Sequence, residues 1–173
     1  MKIEECHIAL RALEPEDLEL VYRIENDVRL WSSSAQSQHL SRYTVRQYLE
    51  QQKADIYQDG ELRLVVEANG QPVGLADLTD FSPHHLRAEV GIVVLSEFHR
   101  RGIASEALRQ LADYATRRLH LRSLHAYVAT SNLPAQALFQ SLGYQRIGVL
   151  QGWIEGRQAA TLFQRILPHA DES

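Results

Sequence analysis

The run His99-Arg100-Arg101-Gly102-Ile103-Ala104 has the make-up of an anion cradle. It lies between a β-branched segment and an amphipathic helical one, and so at a helix N-terminus. There about four backbone N–H groups lack intrahelical partners and the helix dipole favours negative charge. Gly102 lets the backbone approach a ligand, Arg100 and Arg101 offer charge-assisted bonds to phosphate oxygens, and Ala104 keeps the first turn narrow. Taken alone, the hexapeptide reads more readily as a solvated turn that merely starts a helix. Neither G-x-x-x-x-G-K-[ST] nor a strand-linked G-x-G-x-x-G occurs, so the triphosphate and dinucleotide loops are excluded and another phosphate ligand is implied.

The other reactive side chains are sparse. Cys6 is the single cysteine, which excludes an internal disulfide and a thiolate zinc site and fits a reducing cytoplasm. It reads as a small packed residue, not a nucleophile. His84, His85 and His125 are candidate bases, but no H-x-x-x-H or H-x-H spacing supports a metal, so none is expected.

These groups need elements to position them. Residues 1–60 read as one short strand and two helices. The first helix opens at Pro15, with Leu18, Val21 and Tyr22 on one face. The second has a capping box at Thr44 and Gln47, carries Val45, Tyr48, Leu49 and Ile56, and ends at Asp59-Gly60. From residue 61 the period shifts towards two: Leu62, Leu64 and Val66 alternate, Asn69-Gly70 makes a hairpin turn, and Val73, Leu75 and Leu78 form the return strand. The apolar run at 88–95 suits a central strand covered on both faces. A helix follows from about Gly102, with Ala104, Ala107, Leu108, Leu111 and Ala115 on its buried stripe. A strand at 123–129, a capped helix opening near Asn132, a stop at Gly143 and strands around 144–150 and 160–167 complete the order βααβββαβαββ.

The chain's 173 residues, 45% hydrophobic and 23% charged, suffice for one core, and no linker or repeat divides them. A net charge of -4 lacks the basic excess of a nucleic-acid binder, and no run reaches the roughly 20 apolar residues of a membrane span. The charged N-terminal residues carry no targeting signal, so neither nucleic acid nor membrane is an expected partner.

With these motifs placed, the chain resembles the GNAT superfamily of N-acetyltransferases. That family's pattern [Q/R]-x-x-G-x-[G/A] stands here as His99-x-x-Gly102-x-Ala104, with His at the first position. A second family element, N-x-x-[A/S] leading to a hydrophobic pair and G-[F/Y], matches Asn132, Ala135, Leu138-Phe139 and Gly143-Tyr144. The likeness runs from Leu10-Arg11-Ala12-Leu13 to residues 161–167. It is nearest the spermidine and ribosomal-protein acetyltransferase branches through Arg87-Ala88-Glu89-Val90-Gly91-Ile92 and Gly143-Tyr144-Gln145-Arg146-Ile147-Gly148.

The resemblance implies an α/β (α+β) fold. It would be a single domain over residues 1–173, with a mixed, mostly antiparallel sheet of six to seven strands, about four flanking helices and splayed central strands. It implies acetyl-CoA as co-substrate, with its pantetheine arm against Ile92, Val93 and Val94 and its diphosphate on His99, Arg100, Arg101, Gly102, Ile103 and Ala104. The thioester would then lie near Asn132 and Phe139, and a small-molecule or peptide amine would attack it directly. A homodimer is compatible with such a domain.

An alkylamine has a reference pKa of about 10.4, so attack at neutral pH requires a base. Glu89 is the candidate; it reads equally as a structural carboxylate paired with Arg87. Relatives place a tyrosine acid where this chain has Phe139, and a serine where it has Ala135. Tyr144 and Ser141 remain as donors, each of which also fits a packing or helix-surface role, while Asn132 and helix N–H groups can stabilise the leaving thiolate. A non-catalytic acyl-CoA-binding domain is the alternative that these replacements leave open. The acceptor site is expected at the first two helices and residues 30–39. The stretch Trp31-Ser32-Ser33-Ser34-Ala35-Gln36 carries no charge, which counts against a polyamine; Glu25 and Asp27 can bind one amine, and Trp31 can shape the pocket.

Overall fold

The computed structural model describes residues 6–33 and 38–168, with the side chains of residues 31–33 left aside. Most of the segment expected to shape the acceptor pocket, including the side chain of Trp31, therefore lies outside the described residues.

The strands are β1 (Ile8–Ala12), β2 (Leu62–Ala68), β3 (Gln71–Ser82), β4 (Arg87–Val94), β5 (Ser123–Ala129), β6 (Gln145–Ile154) and β7 (Gln158–Ile166). They form one sheet in the order β1-β2-β3-β4-β5-β7-β6. Every pairing is antiparallel except β4 with β5. The β2–β3 hairpin turns at Asn69-Gly70, both at positive φ as a type I′ turn requires.

The helices are α1 (Leu18–Glu25), α2 (Arg42–Gln51), α3 (Ile56–Asp59), α4 (Ile103–Arg117) and α5 (Leu133–Ser141). This is one more than the sequence suggested, because the segment read as a single helix up to Asp59 is two. The chain leaves α2 at Gln52, passes through Ala54 at φ 53° and restarts at Asp55, whose carboxylate caps the single turn of α3. Nor is Thr44 the cap of α2. Ser41 Oγ accepts from Thr44 N–H at 3.0 Å, and Gln47 bonds the Tyr43 hydroxyl instead.

One face of the sheet is covered by α4, whose buried stripe is Ile103, Ala107, Leu108, Leu111, Ala112 and Ala115. Ile103, not Ala104, heads that stripe. Its large members each contribute about 1.5–3 kcal/mol by burial against Ala76, Leu78, Ala88 and Val90. Cys6 packs at the margin of this core, half-buried. On the other face Val21, Ile24 and Val45 of α1 and α2 pack on Val65 and Leu75. Arg11 fastens the entry of α1 with two 2.8 Å bonds to buried Asp17 and one of 2.6 Å to Glu67.

The sequence placed the 88–95 run at the centre of the sheet, and β4 is the middle strand. Cover on both faces is not realised: Ala88 and Val90 are buried, while residues 91–94 are only half-buried. The reason is a gap beside them, described next.

Candidate active site

β4 and β5 pair only at Arg87↔Ser123, Ala88↔Leu124 and Glu89↔His125. Beyond Glu89 the strands separate, β5 continuing along β7 and β4 along β3. Residues 91–94 therefore present an edge with no strand partner on the β5 side. Gly74 of β3 permits this course: a Cβ there would lie 2.2 Å from the Val93 carbonyl oxygen and 3.1 Å from Val94 Cα. The expected splay is present, and a close backbone approach holds β4 to its β3 side.

β4 runs into the predicted cradle. After the 3₁₀ turn Ser96–Phe98, His99 donates from Nε2 to the Val94 carbonyl oxygen at 2.7 Å, which closes the loop onto the end of the strand. Arg100 and Gly102 are both left-handed, at φ 63° and 74°. The first intrahelical bond of α4 is Glu106 N–H to the Gly102 carbonyl, so the amides of residues 103–105 project from the helix start. The Arg101 guanidinium lies 5.5 Å from the Phe98 ring centre, while Arg100 and Gly102 face solvent. A Cβ on Gly102 would meet nothing within 4 Å, so its glycine answers to φ, not to packing within the protein.

The α1-covered face holds a cleft of about 650 Å³ that includes Glu25, Glu61, Asp77, Glu89 and Glu155. Among the described residues one cation lines it. Arg63 binds Glu25 at 2.6 Å and Asp77 at 3.0 and 3.1 Å, so these two acids are neutralised in part by a fixed guanidinium. Among the described residues Glu61, Glu89 and Glu155 have no ion pair. Here the structure corrects the expectation against an acidic pocket, since its carboxylates come from α1, β3, β4 and two loops, not from residues 30–39. No local pattern in the sequence carried that signal. Asp27, offered with Glu25 as an amine ligand, pairs with its neighbour Arg29 at 2.7 Å and does not line the cleft.

Glu89 stands at the junction of cleft and strand gap. Burial, reinforced by the charge of Asp80, raises its pKa above the usual carboxylate value. The alternative pairing with Arg87 does not form, because Arg87 binds Asp80 at 2.7 Å. His125, opposite Glu89 in register, is 9% exposed with Nε2 3.5 Å from Asp80; burial lowers its pKa despite that carboxylate. His84 and His85 stack edge-on in the exposed β3–β4 turn, outside the cleft.

On the α4 side of the sheet Asn132 caps α5, its Oδ1 accepting from Ala135 N–H at 3.2 Å. Phe139 is buried between Tyr144, edge-on at 5.1 Å, and Phe163, stacked at 6.1 Å. The Tyr144 hydroxyl is buried without a hydrogen-bond partner, and burial raises its pKa to about 12. Ser141 Oγ donates to the Leu138 carbonyl within α5.

The gap thus runs along β4 from the cleft at Glu89 to the turn at residues 99–104 beyond its end. A family model described as an acetyltransferase (GNAT) domain matches residues 7–145. The chain belongs to the GNAT acetyltransferase family. It is 28% identical over 167 residues to the spermidine N(1)-acetyltransferase of Escherichia coli (strain K12), a match covering 94% of this chain and 87% of that one. A Bacillus subtilis protein provisionally named a ribosomal N-acetyltransferase is 27% identical over 149 residues, 82% of this chain and 80% of that one. The crystal structure of spermidine N-acetyltransferase from Vibrio cholerae in complex with CoA and spermine matches with a TM-score of 0.82 at 26% identity, over 92% of this chain and 95% of that chain.

As a GNAT acetyltransferase the chain uses acetyl-CoA. The left-handed loop and free helix amides at 100–105 suit a diphosphate, and the unpartnered edge at 91–94 suits an amide-bearing arm. The family's Gln or Arg at the cradle's first position is replaced by His99, whose ring turns back to Val94.

Proposed function

We propose that this enzyme acetylates a primary amine of the polyamine class, which enters through the acidic cleft and attacks acetyl-CoA directly. The observation that carries this reading is the position of Glu89, an unpaired, half-buried carboxylate where the strand gap opens into the cleft. Acetyl-CoA supplies the activated acyl group, and the residues at 91–94 and 99–104 hold and orient it. Glu89, directly or through water, takes the proton that must leave an alkylammonium before its nitrogen can attack. On the opposite face Asn132 and the first amides of α5 favour the departing thiolate. Tyr144 takes no part in this step: its hydroxyl is enclosed in the core with its pKa raised to about 12, a weaker acid than the departing thiol. A thiol of pKa about 8.5 leaves readily without a donor.

The cleft's carboxylates favour an acceptor with more than one positive charge. This agrees with spermidine and spermine, named for the E. coli and V. cholerae relatives. The enzyme acts as one domain over residues 1–173, in the cytoplasm and without nucleic acid. It works as a homodimer, an oligomer as the dodecameric V. cholerae relative is.

The test is release of CoA thiol from acetyl-CoA with spermidine, spermine, putrescine and N-terminal peptides as acceptors. Turnover with polyamines above that with peptides is expected. Turnover confined to peptides would refute the polyamine assignment.

A further inference from the structure

We propose that the outer face of Trp153, held by its stacking on Tyr127, forms with the Glu155 carboxylate a subsite for the ammonium group of the acceptor that is not acetylated. The inference rests on the acetylation of an amine at Glu89 and adds which side chains recognise the rest of that molecule.

Trp153 belongs to β6 and Tyr127 to β5, with β7 between them. The indole reaches across β7 to stack on the Tyr127 ring, with centroids 5.2 Å apart and planes at 28°. The far side of Tyr127 is closed by His125, edge-on at 5.7 Å. An aromatic row thus leads from the register partner of Glu89 outward along the cleft. Trp153 remains 53% exposed and lines the cleft, so much of the indole is available to a ligand.

The charges select the same end. Glu25 and Asp77, on the α1 side, already hold the Arg63 guanidinium, and a second cation there would have to displace it. Glu155, in the β6–β7 turn beside Trp153, has no ion-pair partner among the described residues, and its φ of 51° is an uncommon backbone state for a non-glycine residue. A cation between an indole face and a free carboxylate gains from the ring quadrupole and from the charge together. The ligand class is a flexible aliphatic diamine or longer polyamine; a monoamine and a flat aromatic amine lack the second cation.

The test compares kcat/KM for putrescine and cadaverine with that for n-butylamine, in the wild type, Trp153→Ala, Trp153→Phe and Glu155→Gln, alongside calorimetric binding of the same amines to the CoA-loaded proteins. The wild type is expected to prefer the diamines in both measurements. Trp153→Ala should reduce that preference roughly 3- to 30-fold, the range of one cation–π contact, with Trp153→Phe between the two and Glu155→Gln also reducing it. A preference unchanged in Trp153→Ala, or equal losses for diamine and monoamine, would overturn the subsite. Because binding is read separately, diamine-selective binding without CoA release from any amine would sink the catalytic reading and leave the subsite standing.

Discussion

The imidazole of His99 donates a 2.7 Å hydrogen bond to the carbonyl oxygen of Val94, and so joins the turn before α4 to the last residue of the strand beside the gap. His99→Ala is expected to weaken CoA binding about 3- to 10-fold, the net value of one such bond, with little change in Tm because the residue is exposed. His99→Gln, which keeps a donor, should recover most of the affinity. Calorimetric titration with CoA reads both; an unaltered affinity in His99→Ala would show that the loop holds its shape without this tie.

Gly74 sets the other side of the same strand. In Gly74→Ala the new Cβ would have to displace the Val93 carbonyl, which is backbone and cannot rotate away. Overpacking of this kind costs about 1–3 kcal/mol, or roughly 2–12 °C in Tm for a chain of this size. CoA affinity should fall with it, since residues 93 and 94 move. A variant with wild-type Tm and CoA affinity would contradict the close approach.

Glu89 links activity to stability. Its pKa is raised in the folded state, so between the ordinary value of 4.5 and that higher value the native protein binds more protons than the unfolded chain. Stability from this group therefore declines as pH rises through that window, and the full penalty is present above it. Glu89→Gln removes the penalty and should raise Tm at neutral pH while it lowers kcat/KM. The wild-type rate should rise with pH along an acid limb centred above 4.5, and that limb should be absent in the variant. A variant with an unchanged pH–rate profile would return Glu89 to a structural role.

Tyr144 carries a buried hydroxyl with no partner, and an orphaned polar group of this kind costs about 1–3 kcal/mol. Tyr144→Phe should thus fold at least as stably as the wild type. Because the departing thiol needs no donor, kcat should stay within about 3-fold of the wild type. A fall of about 10²-fold or more would instead make this hydroxyl the proton donor.

Much of this enzyme was legible from local pattern. The Asn69-Gly70 hairpin, the α4 stripe, the cap at Asn132 and the turn at Gly102 that opens α4 each depend on residues a few positions apart, so period and turn chemistry reveal them. The break between α2 and α3 was missed because Val45, Tyr48, Leu49 and Ile56 keep an apolar spacing close enough to one helix to hide the non-helical residues between. The resemblance to a known family supplied the strand gap, which no single segment displays.

What the chain determined by itself was therefore the left-handed turn at Gly102 and the helix and strands around it, because backbone amides and dihedral preferences act over a few residues. Only the tertiary structure decided the acceptor side. It drew Glu25, Glu61, Asp77, Glu89 and Glu155 into one cleft, gave Arg63 to two of them, sent Arg87 to Asp80 and stacked Trp153 on Tyr127 across β7. Those pairings are set by sheet order and register, and charges far apart in sequence meet only after the strands between them have taken their places.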